Sequence, residues 1–206
     1  MARYIEPVCR ICRRFGEKLV LKGNKCITSC ILEKRTSPPG QYRQRRKRSD
    51  RGLQLMEKQK ARYTYGILER QFKQLFSKAE RQQGITADNL VVLLERRLDN
   101  VVYRLGFADS RAQARQIVQH GHIMLNGRKT NIPSCLVKEG DTISWREGST
   151  KTEYYKLLVE NIKAKSIPGW LNLEKEKLVA RVISLPTPEE AGAKFEGKAI
   201  VEYYSR

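Results

Sequence analysis

The chain has 206 residues, with 41 Lys+Arg against 22 Asp+Glu, a formal net charge of +19 and 40% hydrophobic residues. That apolar share excludes a wholly disordered chain, and the length suits one or two small domains. An excess of 19 positive charges repels itself without an anionic partner, so nucleic acid is the first expectation and an acidic membrane surface the second.

The charge is concentrated early. Residues 1–50 carry 14 Lys+Arg and 4 Asp+Glu. The stretch 1–45 is rich in Gly, Pro and Cys, has little helical periodicity, and reads as a basic arm clamped by something other than a hydrophobic core. It holds Cys9, Cys12, Cys26 and Cys30, two close pairs separated by a short loop. Four thiolates can converge on one tetrahedral ion, and Zn2+ prefers such a closed, structural site. An iron–sulfur cluster is the alternative. Two disulfides or four unrelated thiols are the bland reading, and disulfides need an oxidising compartment for which nothing here argues. Between the pairs, Leu19-Val20-Leu21 is expected to form a short hairpin. Arg3, Arg10, Arg13, Arg14 and Lys22 are candidate phosphate contacts, and the neighbouring cations favour thiolates. Cys135 stands apart and reads as a small buried residue.

After Ser37-Pro38-Pro39-Gly40 breaks regular structure, Arg43, Arg45, Arg46, Lys47 and Arg48 form a basic run expected to meet phosphates. From Leu53 to Gln83 the pattern is helical, with Leu68, Phe72, Leu75, Phe76 and Ala79 as the buried stripe. Arg62, Arg70 and Lys73 are left for binding on other faces.

Residues 90–145 are the most informative. Leu90, Leu94, Leu98, Val101, Val102 and Leu105 predict one amphipathic helix closed by Gly106. Ser110 and Gln113 form a capping box for a second helix, Arg111 to Gln119. His122 to Leu125 predicts a strand, Asn126-Gly127 a type I′ turn, and Arg128 to Ile132 its partner. Thr142 to Trp145 is a further strand. Two helices and a small twisted sheet would gather Arg104, Arg111, Arg115, His120, His122, Arg128 and Lys129, with Ser110, Gln113, Gln116 and Asn126, on one small unit. Such a surface suits structured RNA, read by shape and phosphate. Solvated arginines and ordinary cap glycines are the competing reading.

The run Arg97-Leu98-Asp99-Asn100-Val101-Val102-Tyr103-Arg104-Leu105-Gly106-Phe107, then Ser110-Arg111, Ala114-Arg115, Val118, His120-Gly121-His122-Ile123 and Asn126-Gly127, resembles the RNA-binding motif of the small ribosomal subunit protein four family. Tyr65-Gly66-Ile67, Glu69-Arg70-Gln71-Phe72, Pro168, Trp170-Leu171 and Glu202-Tyr203-Tyr204-Ser205-Arg206, with the four cysteines, extend the resemblance to the bacterial-type, cysteine-bearing form over essentially the whole chain. The resemblance implies an α+β fold. A mainly helical domain (46–92, rejoined by 159–206) would hold an inserted compact RNA-binding domain (93–158) of two helices and a small twisted antiparallel sheet, behind the metal-clamped arm. Arg181 to Leu185 and Ala199 to Tyr203 read as returning extended pieces. Metal-bearing relatives often place four residues between the second pair of cysteines, whereas Cys26 and Cys30 have three between them.

The resemblance further implies a structural constituent of the cytoplasmic small ribosomal subunit, or of an organellar one. Such a protein would be a primary binder of the 5′ domain of small-subunit ribosomal RNA and would nucleate assembly. It would sit beside small-subunit proteins three and five, near where messenger RNA enters, with a role in translational accuracy. A non-ribosomal RNA-binding or regulatory module is the alternative. The compact motif also occurs in pseudouridine synthases and some aminoacyl-tRNA synthetases. Here no phosphate-binding G-x4-G-K-[ST] loop or H-E-x-x-H motif exists, and the only two histidines flank Gly121, so no enzyme is expected. No apolar run reaches the roughly 18 residues of a membrane span, and no membrane partner is expected.

Overall fold

A computed structural model describes residues 4–41, 48–162 and 165–205. The chain divides into two compact units. One comprises the described residues of 1–91 with those of 192–206, and the other is Val92–Ala191.

In the first unit the helical stretch is two helices, α4 (Asp50–Thr64) and α5 (Glu69–Glu80), not one. Ser49 caps the start of α4 by accepting from the Gly52 N–H. The break falls at Gly66, whose φ of 61° a side chain would strain. There the Ile67 N–H reaches back to the Arg62 carbonyl at 3.0 Å, closing the helix end. The segment expected to be extended near the C-terminus is a helix, Gly197–Tyr204. Ile200 and Tyr204 are four apart, which puts them on one helical face. Ile200 is fully buried, and the Tyr204 ring packs on Phe72 and Phe76. The buried Lys58 of α4 pairs with Glu69 at 2.5 Å and lies 4.9 Å from the Tyr203 ring centroid.

The arm forms three short helices, α1 (Cys9–Phe15), α2 (Asn24–Thr28) and α3 (Ile31–Lys34). The hairpin expected around Leu19 is absent, because Gly16 ends α1 and turns the chain so that Leu19 buries against Ile11 and Cys12. Tyr4, Phe15 and Tyr63 pack on that cluster, and the buried Lys60 bridges Glu17 (2.9 Å) and Glu57 (2.8 Å). A small apolar cluster and an ion pair therefore fasten the arm, contrary to the reading of a segment without a hydrophobic anchor.

The second unit begins within α6 (Thr86–Glu95) and contains α7 (Leu98–Arg104) and α8 (Arg111–Gln119). The single helix expected through residues 90–105 is thus interrupted at Arg96 and Arg97. The cause is a backbone strip at 133–137. Pro133 and Cys135 carbonyls accept from the N–H groups of Asp99 and Leu98, at 3.1 and 2.8 Å, satisfying donors that a helix start leaves unpaired. The Val137 N–H donates to the Arg96 carbonyl. The sheet is antiparallel throughout, in the order β2 (Arg128–Lys129), β1 (Ile123–Leu125), β3 (Thr142–Trp145), β5 (Val179–Val182), β4 (Leu171–Glu174). Asn126 and Gly127 have φ of 50° and 75°, as the expected type I′ turn requires.

The compact unit does not end at residue 158. The β4–β5 hairpin adds to the β3 edge, with Ile143 opposite Ala180. Trp170, Leu171, Leu178 and Val182 join the core made by Leu98, Val101, Val102, Phe107, Ile123 and Trp145. Only 192–205 rejoins the helical unit, so the expected return of 159–206 as a whole is corrected.

Removing the hairpin would expose this core and leave β3 as an open edge. A fragment spanning 92–191 is therefore expected to give a dispersed amide NMR spectrum, and a fragment 93–158 a collapsed one. A cooperatively folded 93–158 would contradict this assignment.

Candidate RNA-binding site

The break between α6 and α7 places two carboxylates inside the second unit. Glu95 is fully buried, and Asp99 and Asn100 nearly so. Arg104 grips Glu95 with two hydrogen bonds, Nε at 2.8 Å and Nη2 at 2.9 Å. The same guanidinium donates to the Ala191 carbonyl. Asn100 Nδ2 donates to the Glu95 carboxylate at 2.8 Å and to its backbone carbonyl at 3.1 Å. Its Oδ1 accepts from Arg111 Nε at 2.7 Å. Arg111 also lies 4.6 Å from the Tyr103 ring centroid. Asp99 is held twice, by the buried Arg97 (3.0 and 3.2 Å) and by Arg115 (2.8 Å). Buried carboxylates are tolerated when paired and hydrogen-bonded in this way.

Arg104, Arg111 and Arg115 were expected as cations on an open face. Their heads are instead engaged with internal acids and an amide, and 21%, 17% and 12% of their side-chain surface is accessible. Composition could not reveal this, because Glu95, Asp99 and Asn100 look like ordinary solvated helix residues until the helix is broken beside them.

Ser110 caps α8 by accepting from the Gln113 N–H at 3.3 Å. Gln113 Oε1 reaches Asp109 N–H rather than that of Ser110 itself, one residue off the reciprocal capping box. Gln116 and His120 are exposed towards the end of α8, and Arg128 and Lys129 are exposed on β2. A Cβ on Gly121, whose φ is 73°, would meet the Lys129 side chain at 2.4 Å, so the lysine stem lies across this turn. Asn126 is spent on the fold, donating to Asp141 and accepting from the Thr142 N–H, both at 2.8 Å.

His122 is half-buried, with Nδ1 2.9 Å from Ser149 Oγ and its ring 6.3 Å from Trp145. Burial, followed by repulsion from His120 and Arg146, lowers its pKa below the ordinary 6.5.

In the first unit, Arg10, Arg14, Lys22, Arg48, Arg70 and Lys73 are exposed. Arg10 pairs with Glu6 at 2.8 Å. Arg13 is half-buried and braces the 37–38 turn through the Ser37 carbonyl, also at 2.8 Å. Arg62 stacks on Tyr63 and faces Glu69 at 3.7 Å. Arg3, Arg43, Arg45, Arg46 and Lys47 lie outside the described residues.

All five cysteines are free thiols; Cys12, Cys26 and Cys30 are buried and Cys9 half-buried. Cys26 Sγ accepts from the Lys22 N–H at 3.3 Å. Burial pushes the Cys12 thiol up, and the charges of Cys26, Cys9 and Cys30 add to this. Among the described residues, no group of three or more His, Cys, Asp and Glu side chains is arranged to hold a metal ion, so the metal-clamped arm is not shown. Among them also, no helix is long and apolar enough to cross a membrane.

Residues 3–95 match the family described as ribosomal protein S4/S9 N-terminal domain, and residues 96–143 match the S4 domain. The chain is 57% identical over 207 residues to the small ribosomal subunit protein uS4 of Dehalococcoides mccartyi, covering 100% of both chains. It is 52% identical to the uS4 protein of Halothermothrix orenii and 53% identical to that of Heliobacterium modesticaldum, over 208 residues and again over 100% of each chain.

A phosphate beside His122 would offset the repulsion from His120 and Arg146, so bound RNA is expected to raise its pKa. RNA affinity should then strengthen as pH falls through the pKa of the bound form towards that of the free protein. Stability of the free protein runs the other way. The folded pKa lies below the unfolded one, so stability is full above 6.5 and declines as pH falls through the folded value. An NMR titration of the His122 ring with and without RNA reads the shift, and a midpoint unmoved by RNA would contradict phosphate contact there.

Proposed function

The chain belongs to the small ribosomal subunit protein uS4 family, and from this we propose that it binds the 5′ domain of small-subunit ribosomal RNA early and nucleates assembly around it. As a member of that family it is a structural constituent of the ribosome, binds ribosomal RNA and is not an enzyme. The mechanism is architectural. A folded RNA junction matches a preset protein surface that the unfolded RNA does not, so binding shifts the RNA towards its folded arrangement. The observation that carries this reading is that one unit presents exposed cations on β2, Arg128 and Lys129, together with arginines held by hydrogen bonds on α7 and α8. The exposed Arg10, Arg14, Lys22, Arg48, Arg70 and Lys73 supply a second set of phosphate contacts. The proposal extends to neighbouring small-subunit proteins three and five, to messenger RNA near where it enters the subunit, and to translational accuracy.

Binding to the 5′ domain, compared with unrelated structured RNA of equal length across a salt series, tests this. A preference that persists as salt rises is expected. Equal binding that collapses with salt would leave the +19 charge as the whole explanation and favour a generic RNA-binding module.

We also propose one Zn2+ on Cys9, Cys12, Cys26 and Cys30, supported by the donor set, since four thiolates are the preferred ligands of a closed zinc site. When bound, the ion would cross-link the arm and add to its stability. An iron–sulfur cluster is the alternative for the same four ligands. Metal analysis of the purified chain is expected to find about one equivalent of zinc for one four-sulfur site; less than about half an equivalent of zinc or iron would overturn the proposal.

A further inference from the structure

Acidic groups weaken a nucleic-acid surface by Coulomb repulsion, and truncating a buried ion pair is strongly destabilising. Two of them nevertheless stand inside the most basic-looking part of the second unit. Glu95 and Asp99 expose almost none of their side chains, at 0% and 6%, and each takes hydrogen bonds from arginines of α7 or α8. Asn100 joins the two halves. Its backbone N–H donates to Asp99 Oδ1 at 3.0 Å, and its side chain links Glu95 to Arg111. Arg104, Arg111 and Arg115 are thereby fixed by planar, partly bidentate contacts while still reaching the surface.

We propose that Glu95, Asp99 and Asn100 are positioning residues for RNA recognition. They exchange part of the arginines' charge for a fixed orientation of their guanidinium planes, and so confer selectivity for one RNA shape over RNA in general. The inference rests on the RNA-binding reading of this unit and deepens it. Long arginine side chains in solvent sample many rotamers and neutralise any phosphate within reach, which yields affinity without discrimination. Arginines braced on buried carboxylates present one arrangement, and an RNA must match it. Geometry, more than counter-ion release, is then what these three residues contribute. Arg128 and Lys129, exposed on β2, supply ordinary electrostatic affinity.

This separates two quantities that a purely electrostatic or purely scaffolding role keeps together, namely the salt slope of binding and the ratio of affinities for the 5′ domain and an unrelated structured RNA. Glu95→Gln and Asp99→Asn keep side-chain size and each removes one negative charge. Where the variant stays folded by circular dichroism, the salt slope is expected to steepen and the affinity ratio to fall. A residue that mattered only for folding would lower the active fraction and leave both quantities as in the wild type.

Because either isostere could unfold the unit, Arg111→Lys with Arg115→Lys is measured alongside. Total charge is unchanged, but a lysine cannot reproduce the planar contacts to Asn100 and Asp99. The expected result is an unaltered slope with a ratio lowered by about tenfold, the scale of a lost charge-assisted hydrogen bond. A double lysine variant that discriminates as the wild type does would overturn the inference. A wild-type protein without preference for the 5′ domain would instead overturn the reading on which it rests.

Discussion

The structure of the second unit depends on how two buried carboxylates are satisfied. Glu95 ends α6 and Asp99 lies in the first turn of α7, and both side chains turn inward. An unpaired carboxylate at such a depth is costly, so the chain must bring cations to it. Arg97 comes from the break itself, Arg104 from the end of α7, and Arg111 and Arg115 from α8. The packing of α8 against α7 is therefore fixed by charge as well as by Val101, Ala114 and Val118. The same arrangement sets where three arginines can point, so folding and recognition draw on one network.

The helix break beside these acids is itself imposed from elsewhere. The carbonyls of the strip at 133–137 accept from the N–H groups of the first turn of α7, which lets the chain leave α6 and restart without stranding those donors. It also explains a reach of sequence logic and its limit. Apolar spacing from Leu90 to Leu105 is helical throughout, because both helices present their buried faces with the same period. Nothing in that spacing reports a competing hydrogen-bond partner some 35 residues away in sequence.

Signals carried by local chemistry were legible. Ser110 capping α8, the Asn126-Gly127 turn and the strand Thr142–Trp145 all appear where their residues demand them. The fate of the β4–β5 hairpin was not, since its place is decided by which edge is open and by Trp170 and Leu178 filling a core built elsewhere. The C-terminal helix departs from the strand that its residues favour for a related reason. Its aromatic and β-branched residues favour a strand in isolation, but helical spacing buries Ile200 and lets the Tyr204 ring pack on Phe72 and Phe76 of α5. For the site, the basic residues were visible as a list, whereas their division into braced and exposed cations was not. That division needs the acids, and the acids acquire meaning only through burial.

The central claim is that the arginine face is already set before RNA arrives. Side-chain NMR of the arginine Nε–H groups in the free protein tests it most directly, followed by addition of the 5′-domain RNA. The account predicts resolved, slowly exchanging Nε–H signals for Arg104 and Arg111 without RNA, with their contacts to Glu95 and Asn100 retained in the complex. Signals that are averaged in the free protein and sharpen only on binding would contradict it, since the face would then be made by the RNA.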